Sequence, residues 1–503
     1  MVPTAFLVAF LVFPIGTLII RVGPGLHVAP ATARIFALSL AQATASTLLA
    51  LAVGVPLAAV VSRYAYRGRA LAQALLTVPF VMPTVVVALA FRAMVGTSMP
   101  QGMALVVLAH AYVNLAVVVR VVGATWAQLP DSYEKVARSL CASTWRAFVT
   151  VTLPSLRGAL IASAAIVFTF SFTSLGIALL LGDSSTRTLE SQVLRQAGTL
   201  LDFSGAATTA LLQLLVVVAV LAAGGMLSAR APRRPLRPPA LRALLPREWW
   251  IPAIAALGGA LVLAPVAGLA SASLHSSYGW TTQWWLSLGS IDAGTDRIGS
   301  PVSALVTSLG YAALTAVVAG LVGGCAAVAA LTQARTRIVA LIALAPLGVS
   351  AATLGLGVLL AFGRPPFDLR GTGLLVPMTH ALVAVPLVVA VAAPALRAAD
   401  PRRALVAASL GAAPTRAFLA AYGPVLRVVS LSAAGLAAAV SLGEFGAASF
   451  LARAGSPTVP LQIARLLSRP GEQAYGVAAS LALLLVVLTL SLTLIVDRAG
   501  RTT

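Results

Sequence analysis

One pattern occurs twice in this chain, first as Tyr133-Glu-Lys-Val-Ala-Arg-Ser-Leu-Cys-Ala-Ser-Thr-Trp-Arg-Ala-Phe148 and again as Leu405-Val-Ala-Ala-Ser-Leu-Gly-Ala-Ala-Pro-Thr-Arg-Ala-Phe418. Superposed without a gap, at an offset of 270 residues, the two stretches share Ser139/Ser409, Leu140/Leu410, Ala142/Ala412, Arg146/Arg416, Ala147/Ala417, Phe148/Phe418 and Pro154/Pro424. Each is a polar, helix-permissive segment between long apolar runs. We therefore expect each to form a substantial loop at a membrane face, and both loops to contact one kind of partner surface.

The composition of the chain decides its class. Of 503 residues, 59% are hydrophobic and only 9% are charged, and the mean hydropathy is +0.98. Apolar runs recur that are close to the ~20 residues needed to cross a hydrocarbon core as a helix. Because backbone polar groups in lipid must be satisfied internally, such runs predict membrane helices. The predicted fold class is all-α, a polytopic membrane protein.

Twelve runs qualify as spans, and they divide into two sets of six. The first, residues 5–20, has no preceding basic residue, so it is interpreted as a retained span and not as a cleaved signal peptide. The other predicted spans are 36–61, 70–95, 103–124, 159–181, 206–228, 249–270, 303–330, 338–362, 373–396, 427–451 and 474–497. Together with the repeat, they predict two tandem six-helix bundles, residues 1–228 and 249–503.

Basic residues set the predicted orientation. Residues 229–248, the predicted linker between the halves, contain Arg230, Arg233, Arg234, Arg237, Arg242 and Arg247. With the N-terminus in the cytosol, 23 of the 34 Lys and Arg residues lie in inward segments, as the positive-inside rule requires. The linker, both termini and the repeated loops at 125–158 and 397–426 are then cytosolic. The net charge of +21 thus indicates topology and not nucleic-acid binding.

Catalytic and cofactor motifs are missing from the sequence. No Gly-x-x-x-x-Gly-Lys phosphate loop is present, and Lys135 is the single lysine. The four histidines form no nucleophile–acid or zinc pattern, and His110 and His380 are expected to cap or bridge packed helices. The sequence therefore predicts no enzyme, no metal site and no cofactor bound by this chain. Glu444 is the clear acidic candidate within a span.

The repeated loops resemble the Glu-Ala-Ala ("EAA") loops of ABC importer permeases. Val136-Ala137 and Val406-Ala407 take the Ala-Ala positions, Cys141 and Gly411 take the Gly position, and Lys135 and Leu405 stand where the family has Glu. Glu134, one position earlier, is expected to take part of the role of that Glu. By this resemblance, contact with an ATPase is expected from Glu134, Lys135, Ala137, Ser139, Leu140, Cys141, Ala142, Val406, Ala407, Ser409, Leu410, Gly411 and Ala412.

The last part of each half narrows the resemblance. The sequences from Phe172 to Gly182 and from Ser441 to Gly446 resemble fused permeases of ferric-iron and thiamine importers. That resemblance implies an inner-membrane permease of a bacterium, served by an extracytoplasmic binding protein and driven by a separate ATPase dimer that holds the ATP. The Thr188-Leu-Glu segment favours thiamine over iron. The alternative is a twelve-span secondary transporter driven by an ion gradient, which would need more buried charge.

Four residues are predicted to line the translocation path: Phe172, Ser174, Glu444 and Phe445. Ser174 and Glu444 occupy equivalent positions in the two halves. A carboxylate inside a span must face the protein interior or water, where it could attract a cationic solute. The alternative is that Glu444 pairs with a nearby arginine, such as Arg453, and only fixes helix packing.

Overall fold

A computed structural model describes residues 2–22, 30–96, 98–183, 185–229, 241–290, 300–331, 339 and 342–501. Throughout these ranges the chain is almost entirely helical, so the predicted all-α fold is confirmed. Four arginines of the predicted linker lie outside these ranges, namely Arg230, Arg233, Arg234 and Arg237.

Helices α1 to α14 precede residue 275. They are α1 Val2–Leu7, α2 Phe13–Val22, α3 Pro30–Arg63, α4 Arg69–Leu75, α5 Val78–Val81, α6 Thr84–Val95, α7 Met103–Trp126, α8 Asp131–Ser139, α9 Thr144–Ala147, α10 Leu153–Phe172, α11 Leu175–Leu181, α12 Leu189–Gly198, α13 Phe203–Ala229 and α14 Trp250–Leu274. Short π-helical turns, Val8–Val12 and Phe148–Thr152, join α1 to α2 and α9 to α10.

Helices α15 to α23 follow. They are α15 Gln283–Ser290, α16 Pro301–Ala329, α17 Ala351–Phe362, α18 Leu375–Ala398, α19 Arg402–Ser409, α20 Pro414–Gly443, α21 Ala448–Leu451, α22 Val459–Leu467 and α23 Glu472–Arg501. Single 3₁₀ turns lie at Pro246–Glu248, Ala345–Gly348 and Leu369–Thr372. Two pairs of two-residue strands complete the fold: β1 Tyr64–Ala65 lies parallel to β2 Arg242–Ala243, and β3 His275–Ser276 lies antiparallel to β4 Gly279–Trp280.

Ten of the twelve predicted spans are found as helices among the described residues. Ten described helices are long and apolar enough to cross a membrane, and an eleventh span is possible where residues 69–81 and 84–95 meet at 108°. Pro83 explains this break in the predicted span 70–95, since a proline disfavours helical geometry in the residue before it, and Met82 is extended. The predicted span 338–362 falls partly outside the described residues. Its described remainder ends in α17, whose 12 residues are too short to cross a ~30 Å core.

The helices form two compact units. The first-repeat unit comprises Ala29–Ser191 and Leu215–Ala272, and the second-repeat unit comprises Met1–Val28, Gln192–Leu214 and Ser273–Thr503. Each unit therefore contains a helical segment from the other predicted half: α14 lies in the first-repeat unit, and α1 with α2 lies in the second-repeat unit. The division of the chain at residues 229–248 remains a prediction about the repeat.

Close packing holds each of these helices in its unit. In the second-repeat unit, Leu7 and Leu11 belong to a buried core with Leu382, Val385 and Val388. In the first-repeat unit, a Cβ on Gly258 would lie 2.5 Å from the Leu57 side chain. Small residues let helix backbones approach closely in membrane proteins, where packing and not the hydrophobic effect drives association.

Candidate functional site: two coupling loops and a buried carboxylate

The two repeated loops have the same backbone. In the first, α8 ends at Ser139, and the amide of Cys141 donates to the Arg138 carbonyl at 3.0 Å while that of Ala142 donates to the Ala137 carbonyl at 3.1 Å. In the second, Gly411 donates to Ala408 and Ala412 donates to Ala407, each at 3.0 Å. This pair of bonds is the Schellman motif, which ends a helix with one residue in the left-handed conformation.

That left-handed residue explains the Gly position of the loop. Gly411 has φ +82°, and Cys141 has φ +63°. A residue with a Cβ is disfavoured there by about 1–2 kcal/mol, whereas glycine has no such penalty. The cysteine of the first loop is therefore strained, and the glycine of the second is not.

Burial also repeats from loop to loop. Leu140 and Leu410, at equivalent positions, are 78% and 82% exposed. Lys135, Ser139, Val406 and Ser409 are exposed as well, whereas Ala137, Ala142, Ala407 and Ala412 are partly buried against their own unit. Large apolar side chains held out by a rigid turn are typical of a surface that binds a partner.

Glu134 fastens the first loop to its bundle. Its carboxylate accepts hydrogen bonds from Arg63 Nη1 at 2.9 Å and Nη2 at 3.2 Å, and from Thr152 Oγ1 at 2.5 Å. The bidentate geometry joins the C-terminal residue of α3 to α8. Glu134 is the partly buried carboxylate of the loop, while Lys135 beside it is exposed.

The second loop has no such clamp among the described residues. Ala404 stands at the position of Glu134, and Tyr422 stands at that of Thr152. A cavity of about 620 Å³ lies between that loop and its bundle, and its lining includes Leu331, Leu396 and Tyr422. At the corresponding place in the first repeat, the space around Glu134 and Trp126 is about 10 Å³.

Glu444 lies where the long helix α20 breaks, and it is 8% exposed. Its Oε1 accepts from the Ala447 amide at 3.0 Å, and its Oε2 accepts from the Ala448 amide at 3.1 Å and lies 3.0 Å from His380 Nε2. The other nitrogen of His380, Nδ1, lies 2.8 Å from Ser441 Oγ. The close side-chain contact of Glu444 is thus with His380 on α18, and not with Arg453 as the packing alternative had suggested.

The equivalent place in the first repeat is polar but carries no charge. Ser174 precedes α11, and Phe172 beside it is buried, as Phe445 is in the second repeat. His110 Nδ1 lies 2.8 Å from Gln42 Nε2, and the amide nitrogen of Asn114 donates to Ser171 Oγ at 3.1 Å. Both histidines therefore bridge packed helices, as expected from the sequence.

Comparison with known proteins decides the family. Residues 50–233 match the family described as binding-protein-dependent transport system inner membrane component. The chain is 26% identical over 496 residues to the thiamine transport system permease protein ThiP of Brucella abortus, covering 91% of this chain and 86% of that protein. Residues 50–233 carry the permease domain of this family, and over most of its length the chain is a homologue of a fused ABC importer permease. Its relatives are transport permeases and not enzymes.

Other relatives match one part of the permease only. The molybdate/tungstate permease protein WtpB of Thermococcus kodakarensis is 30% identical over 155 residues, which are 30% of this chain and 63% of that protein. The sulfate permease protein CysT of Escherichia coli is 32% identical over 136 residues, which are 24% of this chain and 49% of that protein. The family also overturns the alternative of a secondary transporter, because its members work with a binding protein.

Sequence reasoning located the loops of the permease but did not find the partners of Glu134 and Glu444. The ion pair of Glu134 with Arg63 joins residues 71 positions apart, and the pair of Glu444 with His380 joins residues 64 apart. Neither separation leaves a periodic pattern. Glu134 is a charged residue in a loop that otherwise faces solvent. It was the one indication in the sequence of the pair with Arg63.

Proposed function

We propose that this permease moves a small solute across a bacterial cytoplasmic membrane after an extracytoplasmic binding protein delivers it, and that a separate ATPase dimer drives the movement from the cytosolic side. The support is the pair of Schellman loops, each presenting an exposed leucine at the same position of the same turn. Two identical turns suit a partner with two identical grooves. ATP is held by that partner, and this chain binds no cofactor.

The proposed solute is thiamine. The alignment with the thiamine permease runs through both repeats of this chain, whereas the molybdate/tungstate and sulfate permeases align with 24–35% of it. The runner-up from the sequence, ferric iron, has no support from the names of these relatives.

Solute uptake tests this proposal. A strain lacking the chromosomal copy should lose uptake of labelled thiamine at nanomolar concentration and keep uptake of labelled molybdate and sulfate. The plasmid-borne chain should restore it. Loss of molybdate or sulfate uptake with thiamine uptake intact would refute the proposed solute while leaving the family unaffected.

Crosslinking tests the ATPase contact. Cys141 is exposed in the first loop, and Cys325, the other cysteine, is exposed within α16. In a Cys325→Ala background, Cys141 should form a disulfide with a cysteine introduced in the groove of the co-purified ATPase. The control is Cys141→Ser with Cys325 retained. Its one thiol lies on a membrane helix, and it should form no disulfide with the ATPase. Equal crosslinking from both thiols would contradict the contact.

The orientation follows from the basic residues and belongs to the same proposal, with both termini, the linker and both loops cytosolic. A protease site inserted between residues 237 and 238 should be cut in inverted vesicles and protected in intact cells. Cleavage from outside would overturn this topology.

The translocation path remains a proposal, with Phe172, Ser174, Phe445 and Glu444 near it. The contacts of Glu444 give it a second role as the residue that holds the break after α20. Its two backbone amide partners and His380 occupy both carboxylate oxygens.

A further inference from the structure

The linker between the halves returns to the first repeat at residues 241–249. There β2 pairs with β1 in parallel, with Tyr64 opposite Arg242 and Ala65 opposite Ala243. The guanidinium of Arg242 lies 5.4 Å from the centre of the Tyr64 ring, a cation–π contact. The linker is thus attached by both backbone and side chain to the loop that follows α3.

The attached segment is itself braced. Arg242 Nη2 lies 2.5 Å from Glu248 Oε1, and the amide of Leu245 donates to Glu248 Oε2 at 3.0 Å. Glu248 is 14% exposed at its side chain. Residues 242–248 therefore close a small ring, and we call them the strap.

The place where the strap attaches matters for the coupling loop. Tyr64 directly follows Arg63, and Arg63 holds both carboxylate oxygens of Glu134 on α8. The side chain of Arg63 is 12% exposed, so a shift of its backbone cannot be absorbed by rotation into water. A continuous set of contacts therefore runs from Glu248 through Arg242, Tyr64 and Arg63 to Glu134.

The end of α3 is held from its other side as well. Arg69 Nε donates to the Val61 carbonyl at 2.8 Å, and Gln73 Nε2 donates to the same oxygen at 3.1 Å. These bonds satisfy a carbonyl that the end of the helix leaves without an intrahelical partner. Arg63 thus lies between two fixed points, one on α4 and one on the strap.

We propose that the strap positions the first coupling loop: Arg242 fixes Tyr64 and Ala65, this fixes Arg63, and Arg63 holds α8 through Glu134 at the angle at which the ATPase engages it. Arg63 and Arg242 are positioning residues in this scheme. The effect of the strap on transport rests on the proposed coupling function. The effect of the strap on the position of α8 is independent of the ATPase.

Amide hydrogen exchange on the purified full-length permease tests the structural part. Arg242→Gln should raise the exchange rate of residues 132–139 about fivefold, since opening of α8 no longer works against a fixed Arg63. Arg63→Gln should do the same or more. The matched control is Arg247→Gln, which removes the same charge from an exposed side chain of the same strap. Residues 403–409 of the second loop are an internal reference and should not change.

Solute-stimulated ATPase activity of the assembled complex tests the functional part. Arg242→Gln should reduce the stimulated rate several-fold, and Arg247→Gln should leave it intact. A disulfide formed by Ala65→Cys and Ala243→Cys, in a Cys325→Ala background, should hold the strap and preserve activity in Arg242→Gln.

Each outcome bears on one part of the scheme. If Arg63→Gln loosens α8 while Arg242→Gln behaves like Arg247→Gln, the strap has no positioning role and the proposal is overturned. If Arg242→Gln loosens α8 but stimulated ATPase activity is unchanged, the strap is correct and the proposed coupling function of the first loop fails.

Discussion

The first and second repeated loops have one backbone and two kinds of attachment. Both end a short helix with a Schellman motif and expose a leucine at the same position. The first is clamped by Glu134 to Arg63 and Thr152, whereas the second has Ala404 at that position and a cavity of about 620 Å³ beside Tyr422. Both repeats therefore have the same exposed turn, whereas the contacts that hold each loop against its bundle differ between the repeats.

The helix breaks differ in the same manner. The buried carboxylate of Glu444 lies 3.0 Å from His380 Nε2, and the equivalent Ser174 in the first repeat is uncharged. The carboxylate that joins two helices thus lies in the loop in the first repeat and at the helix break in the second. The following substitutions test this difference, beginning with the largest expected effect.

Glu444→Gln should lower the free energy of unfolding by about 1.5–3 kcal/mol, since it removes the charge of a buried carboxylate that accepts from the Ala447 and Ala448 amides and contacts His380. Thermal unfolding of the permease in lipid nanodiscs measures the change. Ser174→Ala is the matched variant in the first repeat and should cost about 1 kcal/mol or less. Normal stability of Glu444→Gln together with lost uptake would instead favour the predicted place of Glu444 in the translocation path.

Leu140→Glu and Leu410→Glu should each reduce solute-stimulated ATPase activity about tenfold, as expected for an exposed apolar residue central to an interface. The clamped first loop cannot move to relieve the misfit, so Leu140→Glu should be the more severe of the two. The control is Arg247→Gln, which changes an exposed side chain outside both loops. Unchanged solute-stimulated ATPase activity in both loop variants would contradict the proposed contact with the ATPase.

Cys141→Gly and Gly411→Ala should have small effects of opposite sign. The first relieves a left-handed cysteine and should stabilise its turn by about 0.5 kcal/mol, after the entropy that glycine loses on folding. The second places a Cβ at φ +82° and should destabilise its turn by about 1 kcal/mol. Amide exchange at residues 140–142 and 410–412 reports both. Equal changes in both loops would contradict the difference in strain.

Much of this architecture could be predicted from sequence because lipid imposes a strong pattern. Runs of apolar residues located the long helices, and an offset of 270 residues located the two loops. The break at Pro83 was missed because the apolar run continues through it. A helix that is apolar on all sides does not indicate its neighbours, so the membership of α2 and α14 in their units was not predictable.

The side-chain contacts at the first loop and at the helix break of the second repeat were beyond sequence reasoning for a similar reason. Glu134 and Glu444 were recognised as unusual, but their partners Arg63 and His380 are distant in sequence, and other basic residues are nearer. Side-chain partners are chosen by packing, whereas the loop itself is defined by local turn chemistry. The loop could therefore be predicted, and its attachment could not.

The membership of α1 and α2 in the second-repeat unit sets an order for the assembly of the protein. The ribosome completes residues 29–272, which contain the whole first-repeat unit, before the core that receives Leu7 and Leu11 has been synthesised. Helices α1 and α2 must therefore wait for helices made several hundred residues later. Truncated nascent chains ending before residue 375 should leave Leu7 open to crosslinking with lipid, and chains extended past residue 440 should protect it.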